Sequence, residues 1–295
     1  MNTNNTTATG KYAASLTLVE IGLGSLLHSL KIPLVGHFLS LNQIAILSRS
    51  SFHLKSKKSA LEISAIASLL KSLSPAGKKL TPMLAIAAQG VFFYFGLMIG
   101  GLNSFGLMIG AILSSLWAFV QPVLFIYLLF GKTSLEVAAY FLKEIEKIIP
   151  NAEQFLLIAV LAFIIIKCLL AAIVSIVAIK IKEETFGKYQ QKMIFNINES
   201  RSSAGEKAWK LALRDLCNPL FVVSLALTAF FFLFSQSEKS TVIWALLRPV
   251  ALGYLIFYVI RVIPVEKMSA WLRKKGFVKF AANLDEAFSL IKRKS

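Results

Sequence analysis

Ser72-Leu73-Ser74-Pro75-Ala76-Gly77-Lys78-Lys79-Leu80-Thr81-Pro82 opens onto a run, residues 80–130, that contains no Asp, Glu, Lys, Arg or His. A bilayer core is crossed by ~20 apolar helical residues. The run is therefore two spans, and the chain must turn inside it. Gly100-Gly101-Leu102-Asn103-Ser104 is its one cluster of turn residues. So short a link makes the two helices antiparallel neighbours. The same hexapeptide flanks the turn: Phe95-Gly96-Leu97-Met98-Ile99-Gly100 recurs as Phe105-Gly106-Leu107-Met108-Ile109-Gly110. Each copy has Gly at i and i+4 (here a rise from the first Gly to the last of its hexapeptide), the spacing that lets helix backbones approach closely in lipid. A tightly packed hairpin is expected, with a chance echo in Gly/Leu/Ile-rich sequence as the plainer explanation of the repeat.

The rest of the composition agrees. Of 295 residues 56% are hydrophobic, and the mean hydropathy is +0.69; with long uncharged runs this is a multi-span membrane protein. The net charge of +17 comes from 32 Lys/Arg against 15 Asp/Glu. In a membrane chain that excess belongs first to cytoplasmic loops, and nucleic acid is not an expected partner. Cys168 and Cys217 make neither a metal spacing nor a disulfide framework. No cleavable signal is evident near the N-terminus.

The expected fold is all-α: a polytopic membrane helical bundle with a six-helix core, a C-terminal two-helix hairpin and an amphipathic tail. Residues 1–10, rich in Asn and Thr, are expected to be disordered. Residues 11–183 form the core, with helices over 11–30, 34–47 and 59–72, the central hairpin, and a span over 153–182. A break falls at Lys31-Ile32-Pro33, and residues 49–58 read as a loop. Residues 131–150 read as an interfacial amphipathic helix. A cytoplasmic linker, 184–217, leads to the hairpin, 218–263. Residues 264–295 form a basic tail whose apolar set is Trp271, Phe277, Phe280, Leu284, Phe288 and Ile291. Counted as eight spans with the N-terminus inside, 22 Lys/Arg fall inside and seven outside, as the positive-inside rule requires.

Enzyme signatures are missing. There is no His-Glu-x-x-His, no phosphate-cradling Gly-x-x-x-x-Gly-Lys-Ser/Thr and no Gly-x-Ser-x-Gly. Asp215 and Asp285 are the only Asp residues, too few for an Asp-rich magnesium site. Neither catalysis nor a metal or cofactor is expected.

Binding residues are more visible. His28, Lys31 and His37 fall at the first outer turn of the counted topology; Ser74, Lys78 and Lys79 fall at the second. Lys78 and Lys79 run against the positive-inside trend, so these groups are candidates to bind a small ligand, with an anion among the options. Snorkelling of Lys stems at the interface is the structural alternative. Gln89, Trp117 and Gln121 in the central spans, and Asn42 and Gln43 in the second helix, must face the bundle interior. There they contact a ligand or hydrogen-bond between helices. Glu20, Lys71, Lys167 and Arg248 are charges in or near spans that need partners or water.

Over residues 11–182 the chain resembles the substrate-binding S component of energy-coupling factor (ECF) vitamin transporters. The resemblance lies in Ile32-Pro33-Leu34-Val35-Gly36-His37-Phe38-Leu39-Ser40-Leu41 at the start of the second helix. It continues in Ala65-Ile66-Ala67-Ser68-Leu69-Leu70, Ser74-Pro75-Ala76-Gly77 and Leu84-Ala85-Ile86-Ala87-Ala88-Gln89-Gly90. It implies a vitamin pocket on the outer face, with His28, Lys31, His37, Ser74, Lys78, Lys79 and Gln89 as its candidates. It also implies partners: a transmembrane coupling subunit and paired ABC-type ATPases in a bacterial cytoplasmic membrane. The family's Ala-x-x-x-Ala docking pair is not matched on the first helix, where Ala13 is followed four on by Thr17 and Ala14 by Leu18. The expected function is capture of a small vitamin-like molecule for uptake. The alternative is a non-transport membrane scaffold that organises protein partners or anionic lipid.

Overall fold

The computed structural model describes residues 3–29, 34–71, 80–181 and 265–293, with isolated helical residues between 209 and 258. Among them there are helices and no strands. In chain order these are α1 (Thr3–Ser29), α2 (Val35–His53), α3 (Ser59–Lys71), α4 (Leu80–Gly100), α5 (Ser104–Phe130), α6 (Thr133–Ile148), α7 (Ala152–Lys180), α8 (Val265–Lys274) and α9 (Val278–Arg293). Three described stretches are long and apolar enough to cross a membrane: Thr81–Gly100, Ser104–Leu128 and Ala152–Lys180. The chain is an all-α membrane protein. At 13 residues, α3 is about 20 Å long, short of a bilayer core.

The chain divides into two compact units. One comprises Met1–Ala118, Lys167–Ala204 and Ile263–Ser295; the other comprises Phe119–Ile166 and Gly205–Val262. The first boundary follows Ala118, whose carbonyl loses its helical N–H partner to Pro122 inside α5. The six helices expected in one core are present as helices, but α5 and α7 are each shared between the units.

The central hairpin forms as the repeat requires. Helix α4 ends at Gly100 and α5 begins at Ser104. Gly101 stands at φ +80°, in the left-handed region that Gly occupies without strain. Asn103 caps α5, its Oδ1 accepting from Gly106 N at 2.9 Å. A Cβ on Gly96 would overlap the backbone of Gly110, and one on Gly100 the backbone of Gly106. The repeated glycines therefore face each other and bring the two backbones into contact.

In the first unit α3 packs antiparallel on α4, where Gly90 meets Ser64 and Ser68 Oγ donates to the Met83 carbonyl at 2.7 Å. Helix α1 packs on α2, α3 and α9. The core contains Tyr12, Ala13, Leu16, Ile44, Leu47, Ile63, Ile66, Leu70, Phe93, Leu97 and Leu107, joined by Leu284 and Ala287 of α9.

Two expectations are corrected here, and two packings are added. Residues 3–10 are helical and open α1, and α9 packs against the end of this stretch: a Cβ on Gly10 would come within 2.8 Å of Glu286 Cγ. Residues 49–53 are not loop but the end of α2, where Arg49, Ser50 and Ser51 are buried. The apolar face of α9 does not lie on lipid. Leu284 is fully buried on α1 and α3, a burial worth about 1.5–3 kcal/mol for one Leu. The small residues of α1 are also enclosed: Ala13, Ala14 and Ser15 are buried, and Gly24 sits against Leu39 and Lys71. The hairpin over 218–263 and the linker over 184–217 lie almost wholly outside the described residues.

In the second unit α6 is amphipathic with no buried residue, and Lys147 Nζ pairs with Glu144 Oε1 at 2.6 Å on its polar face. Phe119 of α5 and Phe163 of α7 meet edge to face at 5.4 Å.

Candidate functional site

The glycine contacts fix the register of α4 on α5. With 96 against 110 and 100 against 106, residue 89 faces residue 117. Gln89 is 4% exposed, and among the described residues its Oε1 has no hydrogen-bond partner. Trp117 Nε1 is buried and also has none. The Phe92 ring lies 5.4 Å from the Trp117 ring, tilted by 33°. Ser114, one turn from Trp117 on the same face of α5, is fully buried with its Oγ unpartnered. Gln121, one turn beyond Trp117, is buried as well.

An acceptor, an indole N–H and a hydroxyl thus gather beside two aromatic rings in the middle of the apolar hairpin. Each unmade bond costs about 1–3 kcal/mol when buried, so the set is ready for partners that no described residue supplies. The hairpin contributes no charge to it, because residues 80–130 carry none. The arrangement suits a small neutral molecule with donor and acceptor groups and a flat apolar face. Among the described residues no three His, Cys, Asp or Glu side chains come together as a metal would need.

The two amides of α2 part company. Gln43 Nε2 donates to the Ile86 carbonyl at 2.8 Å and to Ser64 Oγ at 3.2 Å. It pins α2 to α3 and α4 and has a structural role. Asn42 shares the face of Leu39 and Ile46 by helical spacing, and its buried Nδ2 has no partner among the described residues.

His37 is half-buried at the start of α2, and its backbone carbonyl accepts from Lys167 Nζ. Lys167 also donates to Ser40 Oγ at 2.6 Å, and Ser40 donates to the same His37 carbonyl at 2.9 Å. This triangle accounts for the mid-span Lys167: it tethers α7 to the first turn of α2. Further along, Ser48 Oγ donates to Ser175 Oγ at 3.0 Å. Arg49 then donates to the carbonyls of Ala178 and Ile181, where α7 runs out of its own N–H donors.

Glu20 and Lys71, two more of the span charges, are a buried pair, whereas Arg248 is exposed. Lys71 Nζ bonds the Glu20 backbone carbonyl and lies 3.9 Å from its Oε2. Sequence distance hid this pairing, which joins the middle of α1 to the end of α3. Phe92, Ser114, Ser40 and Ser64 were also missed. Serine is too common in apolar helices to stand out, and the signal for Phe92 and Ser114 is only their i+3 spacing from Gln89 and Trp117.

Of the outer-turn candidates, only His37 has a described side chain. Lys31, Ser74, Lys78 and Lys79 lie outside the described residues. His28 is in the last turn of α1, and its side chain is outside them too. Comparison with protein-family models, curated proteins and solved structures finds no match to the chain.

Proposed function

We propose that this chain is a membrane-embedded binding subunit that takes a small vitamin-like molecule into its helical bundle for uptake. Partner ATPases supply the energy, as the S-component resemblance implies, and the membrane is a bacterial cytoplasmic membrane. The observation that carries the reading is a buried acceptor on Gln89 and a buried donor on Trp117, both without a partner among the described residues and placed opposite by the glycine register, with Phe92 against the Trp117 ring. An interior built only for packing has no reason to keep both groups unmet. The helix directions support a common topology. Glu20 with Lys71 at one end, and Gly10 and Glu62 both near Asn283 at the other, make α1 and α3 parallel.

A second reading, the non-transport scaffold, is favoured by α1. Its small residues are covered by α2, α3 and α9, so they offer no open face to a coupling subunit.

The test has two parts on the full-length protein. The first is gentle purification from native membranes with mass spectrometry of both proteins and small molecules. The uptake reading expects a transmembrane coupling subunit, two ATPases and a retained small molecule. The second compares that small molecule in the Gln89→Leu and Trp117→Phe variants, where it should be lost. Recovery of a folded protein alone, with the same small-molecule content in wild type and variants, overturns the reading and leaves the scaffold.

A further inference from the structure

With α9 seated on α1 and α3, one part of the C-terminal region keeps an outward apolar and basic surface: the turn between α8 and α9. The run Arg273-Lys274-Lys275-Gly276-Phe277-Val278-Lys279 is exposed at every position. Phe277 is 59% exposed, Val278 60%, and Trp271, two residues before the run, 55%. Gly276 makes the turn at φ +84°, with nothing within 4 Å of where its Cβ would be.

The carboxylates nearby are already engaged. Asp285 pairs with Arg273 and accepts from Ser269 Oγ at 2.6 Å. Glu62 of α3 lies near Lys279 and accepts from Asn283 Nδ2 at 3.5 Å. Lys274 and Lys275 have no ion-pair partner among the described residues, and no acidic residue occurs between Glu266 and Asp285.

We infer that this turn is a docking tip for anionic phospholipid headgroups, with Lys274 and Lys275 on the phosphates and Trp271, Phe277 and Val278 in the interface beneath them. The charge selects the occupant. A basic group near an anionic surface gains ~1 kcal/mol, and an indole settles at the headgroup level, where one end is apolar and the other wet. The apolar face of α9 is already taken by protein, so the contact is confined to the tip and is not the whole tail. Arg273 is held to Asp285, which braces α8 against α9 and keeps the tip in shape. The inference needs only that the chain is embedded in a membrane; it does not depend on a ligand in the bundle.

The experiment uses full-length protein in nanodiscs of brominated phosphatidylcholine, with and without phosphatidylglycerol. Tryptophan emission is read for wild type and for Trp271→Phe, and the difference isolates Trp271. Trp271 is exposed, so its replacement leaves the core intact. The expected result is that phosphatidylglycerol causes most of the Trp271 emission to be quenched. High salt, or the Lys274→Glu/Lys275→Glu variant, should restore it. If Trp271 is unquenched in both membranes, the tip does not meet lipid and the inference fails. Equal quenching without phosphatidylglycerol, untouched by the Lys variant, removes the anionic selectivity and overturns it as well.

Discussion

Ser40 on α2 and Lys167 on α7 are joined at 2.6 Å, and eight residues further along both helices Ser48 and Ser175 are joined at 3.0 Å. Equal steps in the same direction mean that α2 and α7 run parallel. In a membrane, parallel helices begin on the same side. Entering α3, α4 and α5 the chain reverses three times, and a fourth reversal into α7 restores the direction of α2, so α6 adds none of its own. This is the geometry expected if α6 lies along the interface and does not cross.

The first prediction follows from that parity. Gly36→Cys and Asn151→Cys, in a background without Cys168 and Cys217, should be labelled by an impermeant thiol reagent from the same side of sealed vesicles. Cys placed at His53 should be labelled only from the other side. Labelling of Gly36→Cys and Asn151→Cys from opposite sides would mean that α6 crosses the membrane.

The glycine seam sets the second. Gly96→Ala places a methyl into the backbone of Gly110. The hairpin must part, at a cost of roughly 1–3 kcal/mol or more. Gly36 has open space around it, so Gly36→Ala should change stability by no more than about 0.5 kcal/mol. Thermal unfolding in detergent measures both. Equal midpoints for the two variants would refute the close contact.

Glu20 and Lys71 give an asymmetric pair. Lys71→Met leaves a buried carboxylate without its cation and should cost about 3–5 kcal/mol. Glu20→Gln keeps the backbone carbonyl that Lys71 bonds, so it should cost less. The double variant should recover much of the loss, and a double-mutant cycle of unfolding free energies reports the coupling. Additive losses would show that the two side chains do not act as a pair.

Lys167 behaves differently because no carboxylate among the described residues pairs with it. Its ammonium is held by a carbonyl and a hydroxyl. Lys167→Met removes a buried charge while keeping length, and stability should be unchanged or higher. Ser40→Ala withdraws one acceptor from the ammonium and should cost about 1–3 kcal/mol. A strong loss in Lys167→Met, with Ser40→Ala neutral, would point to a role for the ammonium outside this tether.

Most of the helices could be read from the chain because their causes are local. The uncharged run over 80–130, the Gly-Asn turn and the repeated Gly pairs encode the hairpin within fifty residues of sequence. The amphipathic period of α6 is equally local. Gln89 and Trp117 were visible as polar groups that cannot face lipid. That they oppose each other required the register, which the glycines set once the helices had closed.

What the sequence determined by itself was the all-α membrane character, the hairpin and the need for Gln43, Gln89, Trp117, Lys71 and Lys167 to find interior partners, since the cost of a polar group in lipid is a property of that residue alone. Only the tertiary structure decided which of them found partners, and which partners those were. Glu20 answers Lys71 across 51 residues, His37 and Ser40 answer Lys167 across about 130, and α9 returns from the far end of the chain to cover Gly10 and the start of α1. The physical reason is that helical periodicity states which face of a helix is buried but not which other helix buries it. That choice rests on the fit of whole surfaces, here small residues of α1 against Leu284 and Ala287 of α9, and no single segment carries it.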